Sequence, residues 1–238
     1  MNQLTPQQMQ RYARSVALPQ IGVDGQAAIV ATRILIVGCG ALGSTAALYL
    51  AASGIGHMTL VDFDTIDLSN LQRQIAYRSD QLGESKAFKL AEAVTSLNPE
   101  VEAVPMERLL RHADLEKILP EYDIVLECSD NPATKLMVSD VCHQSAKNCV
   151  IGGVSGFLGQ VLGVGKGTPT FRDIFGDDPG CTGFTPCSAG GVFAPAAAVV
   201  ASVQAAEALK IAANVKDSLI GKLLTIDTLK MTFRTFEL

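Results

Sequence analysis

The sequence predicts an α/β fold: a mainly parallel sheet with helices on both faces, extended by C-terminal antiparallel strands. Three observations carry this. Short β-branched runs alternate with helix-length stretches from Ile34 to Ile151. A glycine-rich turn, Gly38 to Gly43, joins the first such run to the first long helical stretch. From Lys222 to Phe236 the pattern changes to alternating side chains, the period of paired strands.

Taken in order, Ile34 to Val37 is a strand ending at Gly38, and Ala41 to Ser53 is an Ala/Leu-rich helix with a glycine stop at Gly54. Met58 to Val61 is a second strand and ends in Asp62. Glu84 to Leu97 is an amphipathic helix, with Phe88, Leu90, Ala91, Val94 and Leu97 toward one side, and it stops before Asn98-Pro99. Val101 to Val104, Ile124 to Glu127 and Val150 to Ile151 are further strands, with a helix at Ala133 to Ser145 between the last two. Gly153 to Gly167 continues the sheet. Thr168 to Gly191 holds five glycines and three prolines with little periodicity, and we expect a long irregular loop there. Helix returns at Pro195 to Ala213, and two strands close the chain.

Composition narrows the class. Of 238 residues 48% are hydrophobic and 18% charged, enough apolar side chain for a full core. A net charge of −5 argues against a basic nucleic-acid-binding surface. The uncharged stretch Cys181 to Ala206 is interrupted by Pro186, Pro195 and three glycines and is mostly Ala, so it reads as a buried helix rather than a membrane span. Met1 to Gln10 is polar and carries no signal-peptide pattern. Six cysteines are too few for a disulfide scaffold, and four of them lie in or beside apolar runs. We expect a cytoplasmic protein with reduced thiols.

In a parallel sheet, ligands bind beyond the carboxyl ends of the strands. Chemistry is therefore expected at Gly38–Gly43, Asp62–Arg73 and Cys128–Asn131. Gly38-Cys39-Gly40-Ala41-Leu42-Gly43 is a G-x-G-x-x-G between strand and helix, a Rossmann-like signature whose glycines admit phosphate to a helix N-terminus. Asp62, nineteen residues past Gly43, is placed to bond ribose hydroxyls. Asp62-Phe63-Asp64 is followed by Ser69-Asn70-Leu71-Gln72-Arg73-Gln74 and Gly83-Glu84-Ser85-Lys86. Arg73 and Lys86, opposite a glycine loop, suit the neutralisation of a triphosphate and departing pyrophosphate. Lys86 also stands in the first turn of its helix, where a cation opposes the macrodipole. The alternative for both is an ordinary solvated cation. Asp130, after the strand at Ile124–Glu127, is placed either to hold Mg²⁺ or to cap the following helix. Arg11 and Arg14, three apart, either reach phosphate or a partner subunit or are solvated.

These residues resemble the HesA/MoeB/ThiF family of ubiquitin-activating-enzyme-like adenylyltransferases. The likeness rests on R-Y-x-R at Arg11–Arg14, the glycine loop, D-x-D at Asp62–Asp64, S-N-L-x-R-Q at Ser69–Gln74 and G-x-x-K at Gly83–Lys86. Asn98-Pro99, C-S-D-N at Cys128–Asn131, Ala189–Val192 and Gln204–Lys210 complete it. The resemblance implies one adenylyltransferase domain over 1–238. Residues 1–30 would be an N-terminal helical segment, 31–152 the nucleotide-binding core and 153–238 a carrier-binding extension, with a crossover loop at about 168–191. It implies ATP-dependent activation of the C-terminal glycine carboxylate of a ubiquitin-like sulfur-carrier protein ending in Gly-Gly, of molybdopterin or thiamine-thiazole type, with release of pyrophosphate.

Carried over by motif, Asp62 would bind ribose, Arg73 and Lys86 the phosphates and Asp130 the Mg²⁺, Asn70 would help orient the phosphates, and Gly38, Gly40, Gly43 and Asp64 would complete the nucleotide contacts. Arg14 would reach the nucleotide of a neighbouring subunit in a homodimer. Cys187 stands where some members form a thioester or acyl-disulfide with the carrier and others keep an idle thiol. Many relatives hold structural zinc through two Cys-x-x-Cys pairs. Here Thr170-Phe171-Arg172-Asp173 stands in place of the first pair and no second pair precedes Leu238, so no zinc is expected. Competing readings are adenylation of another carboxylate, on a peptide or modified nucleotide, a catalytically silent scaffold of the same fold, and, more remotely, a nicotinamide dehydrogenase.

Overall fold

The computed structural model describes residues 3–177 and 190–238. One eight-stranded sheet runs through it. The strands are β1 (Arg33–Val37), β2 (His57–Val61), β3 (Glu102–Met106), β4 (Ile124–Glu127), β5 (Asn148–Ser155), β6 (Leu158–Val164), β7 (Lys222–Asp227) and β8 (Thr232–Glu237). Their order is β3-β2-β1-β4-β5-β6-β7-β8. The first five are mutually parallel, and β6 to β8 add on antiparallel, in line with the sequence expectation. The helices are α1 (Pro6–Arg11), α2 (Ala13–Val16), α3 (Gly22–Ala31), α4 (Ala41–Ser53), α5 (Lys86–Leu97), α6 (His112–Ile118), α7 (Pro132–Gln144), α8 (Phe171–Phe175) and α9 (Ala194–Ala212).

Alternation along each strand divides the core into two layers. Ile34, Ile36, Met58, Leu60, Ile124, Leu126 and Val150 face the layer of α4, α5 and α9. Leu35, Val37, Val61, Val125 and Ile151 face α6, α7 and α8. Cys39, Cys128, Cys142 and Cys149 are buried and unbridged, small apolar side chains in effect. Helix α9 is long and apolar enough to cross a membrane by length and composition. Here its Ala197, Val200, Ala201 and Ala208 are buried in the α4–α9 layer.

Several boundaries differ from expectation for local reasons. Helix α5 begins at Lys86 rather than Glu84, with Ser85 as its N-cap. Strand β3 extends to Met106 and tolerates Pro105 because it lies at the sheet edge. Strands β5 and β6 form a hairpin far longer than Val150–Ile151, turning at Gly156 with φ +56°. The segment expected to be an irregular loop contains α8. Thr170 and Asp173 form a capping box, the Thr170 hydroxyl accepting from the Asp173 N–H at 3.2 Å while the carboxylate accepts from the Thr170 N–H at 2.8 Å.

The N-terminal motif has a packing role. Tyr12 is buried against Gly54, where a Cβ would lie 2.4 Å from its ring, and Gly54 ends α4 at φ +86°. The Asn98 amide donates to the Tyr12 hydroxyl at 2.9 Å and to the Ala51 carbonyl at 2.7 Å. Strand order reverses between β1 and β4, so the crevice at their carboxyl ends is the place for a ligand.

Candidate active site

A cavity of about 420 Å³ opens at that crevice, within the size range of small-molecule sites. Its walls come from the glycine loop, the segment after β2, the Asn70–Gln74 turn, the start of α5, the loop after β4 and the end of β5.

The glycine loop is built for close approach. Gly38 has φ +93°, and a Cβ there would meet the Ser129 nitrogen at 2.8 Å. A Cβ on Gly43 would lie 1.8 Å from the Gly38 carbonyl oxygen, so this glycine seats α4 on β1. Gly40 is the N-cap of α4 and offers no side-chain acceptor to the first helical amides, which are left for an anion. The Cys39 peptide is held from both sides: its N–H donates to Asp62 Oδ2 at 2.6 Å, and its carbonyl accepts from the Tyr77 hydroxyl at 2.6 Å.

Asp62 therefore does more than await a ribose. Its Oδ1 accepts the Asp64 N–H at 2.9 Å, and each carboxylate oxygen keeps a further lone pair for a ligand hydroxyl. Burial pushes its carboxyl above the usual range, against the opposing pull of the Asp64 and Cys39 N–H groups and Lys86. Asp64 lines the cavity, and its Oδ2 accepts from Lys86 Nζ at 3.0 Å. The Lys86 side chain is only 7% exposed and Asp64 51%, so the lysine's counter-charge sits on the solvent side, where an incoming phosphate can replace it. The macrodipole penalty expected for Lys86 is offset by this pairing.

Arg73 lines the cavity, one guanidinium nitrogen donating to the Ser69 carbonyl at 3.1 Å. Asn70 is beside it. The side-chain oxygens of Asn70 and Gln74 are buried without hydrogen-bond partners among the described residues. Gln74 is itself buried at the cavity wall, its amide nitrogen 3.6 Å from where a Gly40 Cβ would stand. It closes the S-N-L-x-R-Q motif, which assigns it no role of its own.

Of the two readings of Asp130, the structure gives the helix cap to its neighbour. The cap of α7 is Asn131, whose Oδ1 accepts from the Ala133 and Thr134 N–H groups at 2.9 and 3.3 Å. Asp130 lines the cavity, is exposed, and makes no hydrogen bond among the described residues. A lone open carboxylate beside a phosphate site matches the way Mg²⁺ is commonly held, through one or two carboxylates plus phosphates. Among the described residues no group of three or more His, Cys, Asp or Glu could hold a metal ion.

Thus Gly38, Gly40, Asp62, Asp64, Asn70, Arg73, Lys86 and Asp130 share one cavity, with Gly43 packed behind its loop. Arg14 lies exposed on α2 and does not line it. Cys187 lies outside the described residues. Tyr77, Lys135 and Glu127 have no signal in sequence: a tyrosine between motifs, a lysine inside a helix and a glutamate ending an apolar strand carry no motif of their own.

Residues 12–238 match the ThiF family. The chain is 38% identical to the adenylyltransferase and sulfurtransferase MOCS3 of Dictyostelium discoideum, covering 99% of this chain and 56% of that protein. It is 34% identical to the probable adenylyltransferase/sulfurtransferase MoeZ of Mycobacterium tuberculosis, covering 99% and 61%. The chain thus spans slightly more than half the length of these curated relatives. Among solved structures, Escherichia coli MccB with ATP superposes with a TM-score of 0.82 at 22% identity, over 95% of this chain and 70% of MccB. PaaA superposes at 0.81 and 20% identity, over 100% and 75%. With the glycine loop, D-x-D, S-N-L-x-R-Q, G-x-x-K and C-S-D-N motifs sharing one cavity and the family match running over residues 12–238, the chain belongs to the ThiF family.

Proposed function

We propose that the protein is an adenylyltransferase that uses MgATP to activate the C-terminal glycine carboxylate of a ubiquitin-like sulfur-carrier protein. One observation carries this reading: the glycine loop, Arg73, Lys86 and the Asp130 carboxylate, which makes no hydrogen bond among the described residues, meet in one cavity from four separate segments. The relatives' names, adenylyltransferase and sulfurtransferase, support it. A dehydrogenase holds its diphosphate with the glycine loop and has no use for Arg73, Lys86 and Asp130 around the next phosphates.

The chemistry follows from charge and alignment. The carrier carboxylate attacks the α-phosphorus of ATP, a P–O bond forms, and the bond to the bridging oxygen breaks with the electron pair leaving on pyrophosphate. No general base is required, because the nucleophile is already ionised. Asp62 holds the glycine loop and accepts from ribose. The α4 amides, Arg73 and Lys86 stabilise charge on the phosphates, and Lys86 exchanges Asp64 for phosphate as ATP enters. Asp130 would hold Mg²⁺, which would screen the departing pyrophosphate. Orientation of the two reactants in such a site is worth roughly 7–11 kcal/mol in favourable cases. Gly153 and Val154 of β5 and Val192 also line the cavity, and the carrier's glycine terminus would enter beside them. A homodimer in the cytoplasm, with Arg14 reaching the neighbouring nucleotide, belongs to the same proposal.

ATP–pyrophosphate exchange tests it. Exchange is expected with carriers ending in Gly-Gly. Exchange only with a peptide or small-molecule carboxylate would replace the carrier assignment, and ATP binding without exchange on any carboxylate would favour a silent scaffold.

A further inference from the structure

At the cavity wall, where Lys135 is one of the lining residues, lies a buried charged pair that the reaction above does not use. Glu127 ends β4 and is fully buried; Lys135, on α7, has a side chain 9% exposed. Ionised groups are seldom found in such positions unless they are paired and hydrogen-bonded. Both conditions hold here. Lys135 Nζ donates to Glu127 Oε2 and, at 2.6 Å, to the Gly152 carbonyl of β5. Glu127 Oε1 accepts the Ser129 N–H at 3.0 Å and the Ser129 hydroxyl. The Gln204 amide of α9 ties the Glu127 and Val150 carbonyls together at 3.0 and 3.1 Å.

Apolar side chains of similar volume often serve stability as well as a buried pair does. What they cannot do is hold Ser129 by both its N–H and its hydroxyl. Ser129 immediately precedes Asp130, and Asn131, immediately after, is fixed by capping α7. Asp130 is thus an exposed carboxylate suspended between two anchored neighbours, one anchored through Glu127 and Lys135.

Building on the proposed adenylation reaction, we propose that Glu127 and Lys135 are positioning residues that set the Ser129–Asp130 turn, and so hold the Asp130 carboxylate where it would bind Mg²⁺ beside the phosphates. In this role both act through the turn rather than on the reacting atoms, although Lys135 also lines the cavity. Their loss should lower kcat with little effect on ATP binding, because the glycine loop, Arg73 and Lys86 remain in place.

The test compares Glu127→Met/Lys135→Met, which removes both charges at similar volume, with Lys135→Arg, which keeps the cation. For the double variant we expect a Tm within a few degrees of the parent and a KM for ATP within about threefold. Its kcat for exchange should fall by roughly 10- to 100-fold, the scale of a misplacement near 1 Å. Hydrogen exchange at the Ser129 amide of the nucleotide-free protein should accelerate by about tenfold or more, as that N–H loses its acceptor. Lys135→Arg should keep at least about a third of kcat. Parental kcat and Ser129 protection in the double variant would overturn the proposal, as would an arginine variant as impaired as the double one.

If the double variant does not fold, Ser129→Ala removes only the hydroxyl arm. An unchanged Tm with kcat reduced by about three- to tenfold would support the proposal, and unchanged kcat would overturn it. Absence of exchange in the parent protein would count against the adenylation reading alone; the Ser129 amide would still decide whether the pair sets the turn.

Discussion

Gly40 and Gly43 stand three residues apart in one motif, yet the structure gives them different work, and alanine at each should separate the two. At Gly43 a Cβ would sit 1.8 Å from the Gly38 carbonyl oxygen, about 1.6 Å short of ordinary contact. Both partners are backbone, so relief requires α4 to move off β1. Overpacking of this kind costs about 1–3 kcal/mol and occasionally more, which for a chain this long lowers Tm by roughly 2–12 °C. The same shift carries the α4 amides away from the phosphates, and ATP affinity should fall at least about tenfold.

At Gly40, φ is −75° and the nearest atom to a Cβ is Gln74 Nε2 at 3.6 Å, so the fold has room for a methyl group. Gly40 lines the cavity, however, and the methyl would occupy the space where phosphate meets backbone. Gly40→Ala should keep the parental Tm within about 2 °C and still lose roughly tenfold or more in ATP affinity. Thermal unfolding and calorimetric ATP titration of both variants decide the matter. A Gly43→Ala protein with parental Tm and affinity would refute the packing argument. A Gly40→Ala protein that binds ATP normally would refute close approach of phosphate to this loop.

Three further outcomes are expected. Lys86→Met should reduce exchange by at least about 100-fold with less than about 1 kcal/mol lost in urea unfolding, because the Asp64 it abandons is half exposed and stays hydrated. Asp130→Ala should abolish exchange while leaving the fold intact, since the carboxylate makes no hydrogen bond among the described residues; normal exchange would remove it from the Mg²⁺ site. Burial pushes the thiols of Cys39, Cys128 and Cys149 above their ordinary range, so the folded chain keeps these protons to a higher pH than the unfolded chain does. Their contribution to stability is whole below the unfolded thiol pKa of about 8.5 and is lost as pH rises beyond it, by up to about 1.4 kcal/mol per pH unit for each thiol. Urea unfolding at pH 8 and pH 10 should show this loss, and Cys149→Ala should lessen it.

What could be read from the chain was what is decided locally. The demands of Gly38 and Gly43 arise within one turn, so the strand–loop–helix unit was legible, and strand periodicity foretold the parallel sheet and its antiparallel extension. Helix α8 was legible in principle, since T-x-x-D at Thr170–Asp173 is a cap signature, but the surrounding glycines and prolines masked it. Contacts between distant segments were not legible. Tyr12 and Asn98 meet across 86 positions to close α4 at Gly54, and Lys86 finds Asp64 across a turn whose direction no motif states. Whether Asp130 or its neighbour capped α7 depended on backbone direction at Asn131, which either assignment would have suited in sequence.

The most direct test of the central claim follows phosphorus. ATP labelled at the α-position and ATP labelled at the γ-position are each incubated with the protein, Mg²⁺ and a carrier ending in Gly-Gly, and the carrier is isolated rapidly. The α-label should appear on the carrier in an amount matched by released pyrophosphate, and the γ-label should appear only in that pyrophosphate. Label from the γ-position on the carrier, or α-label nowhere on it while ATP is consumed, would contradict the account.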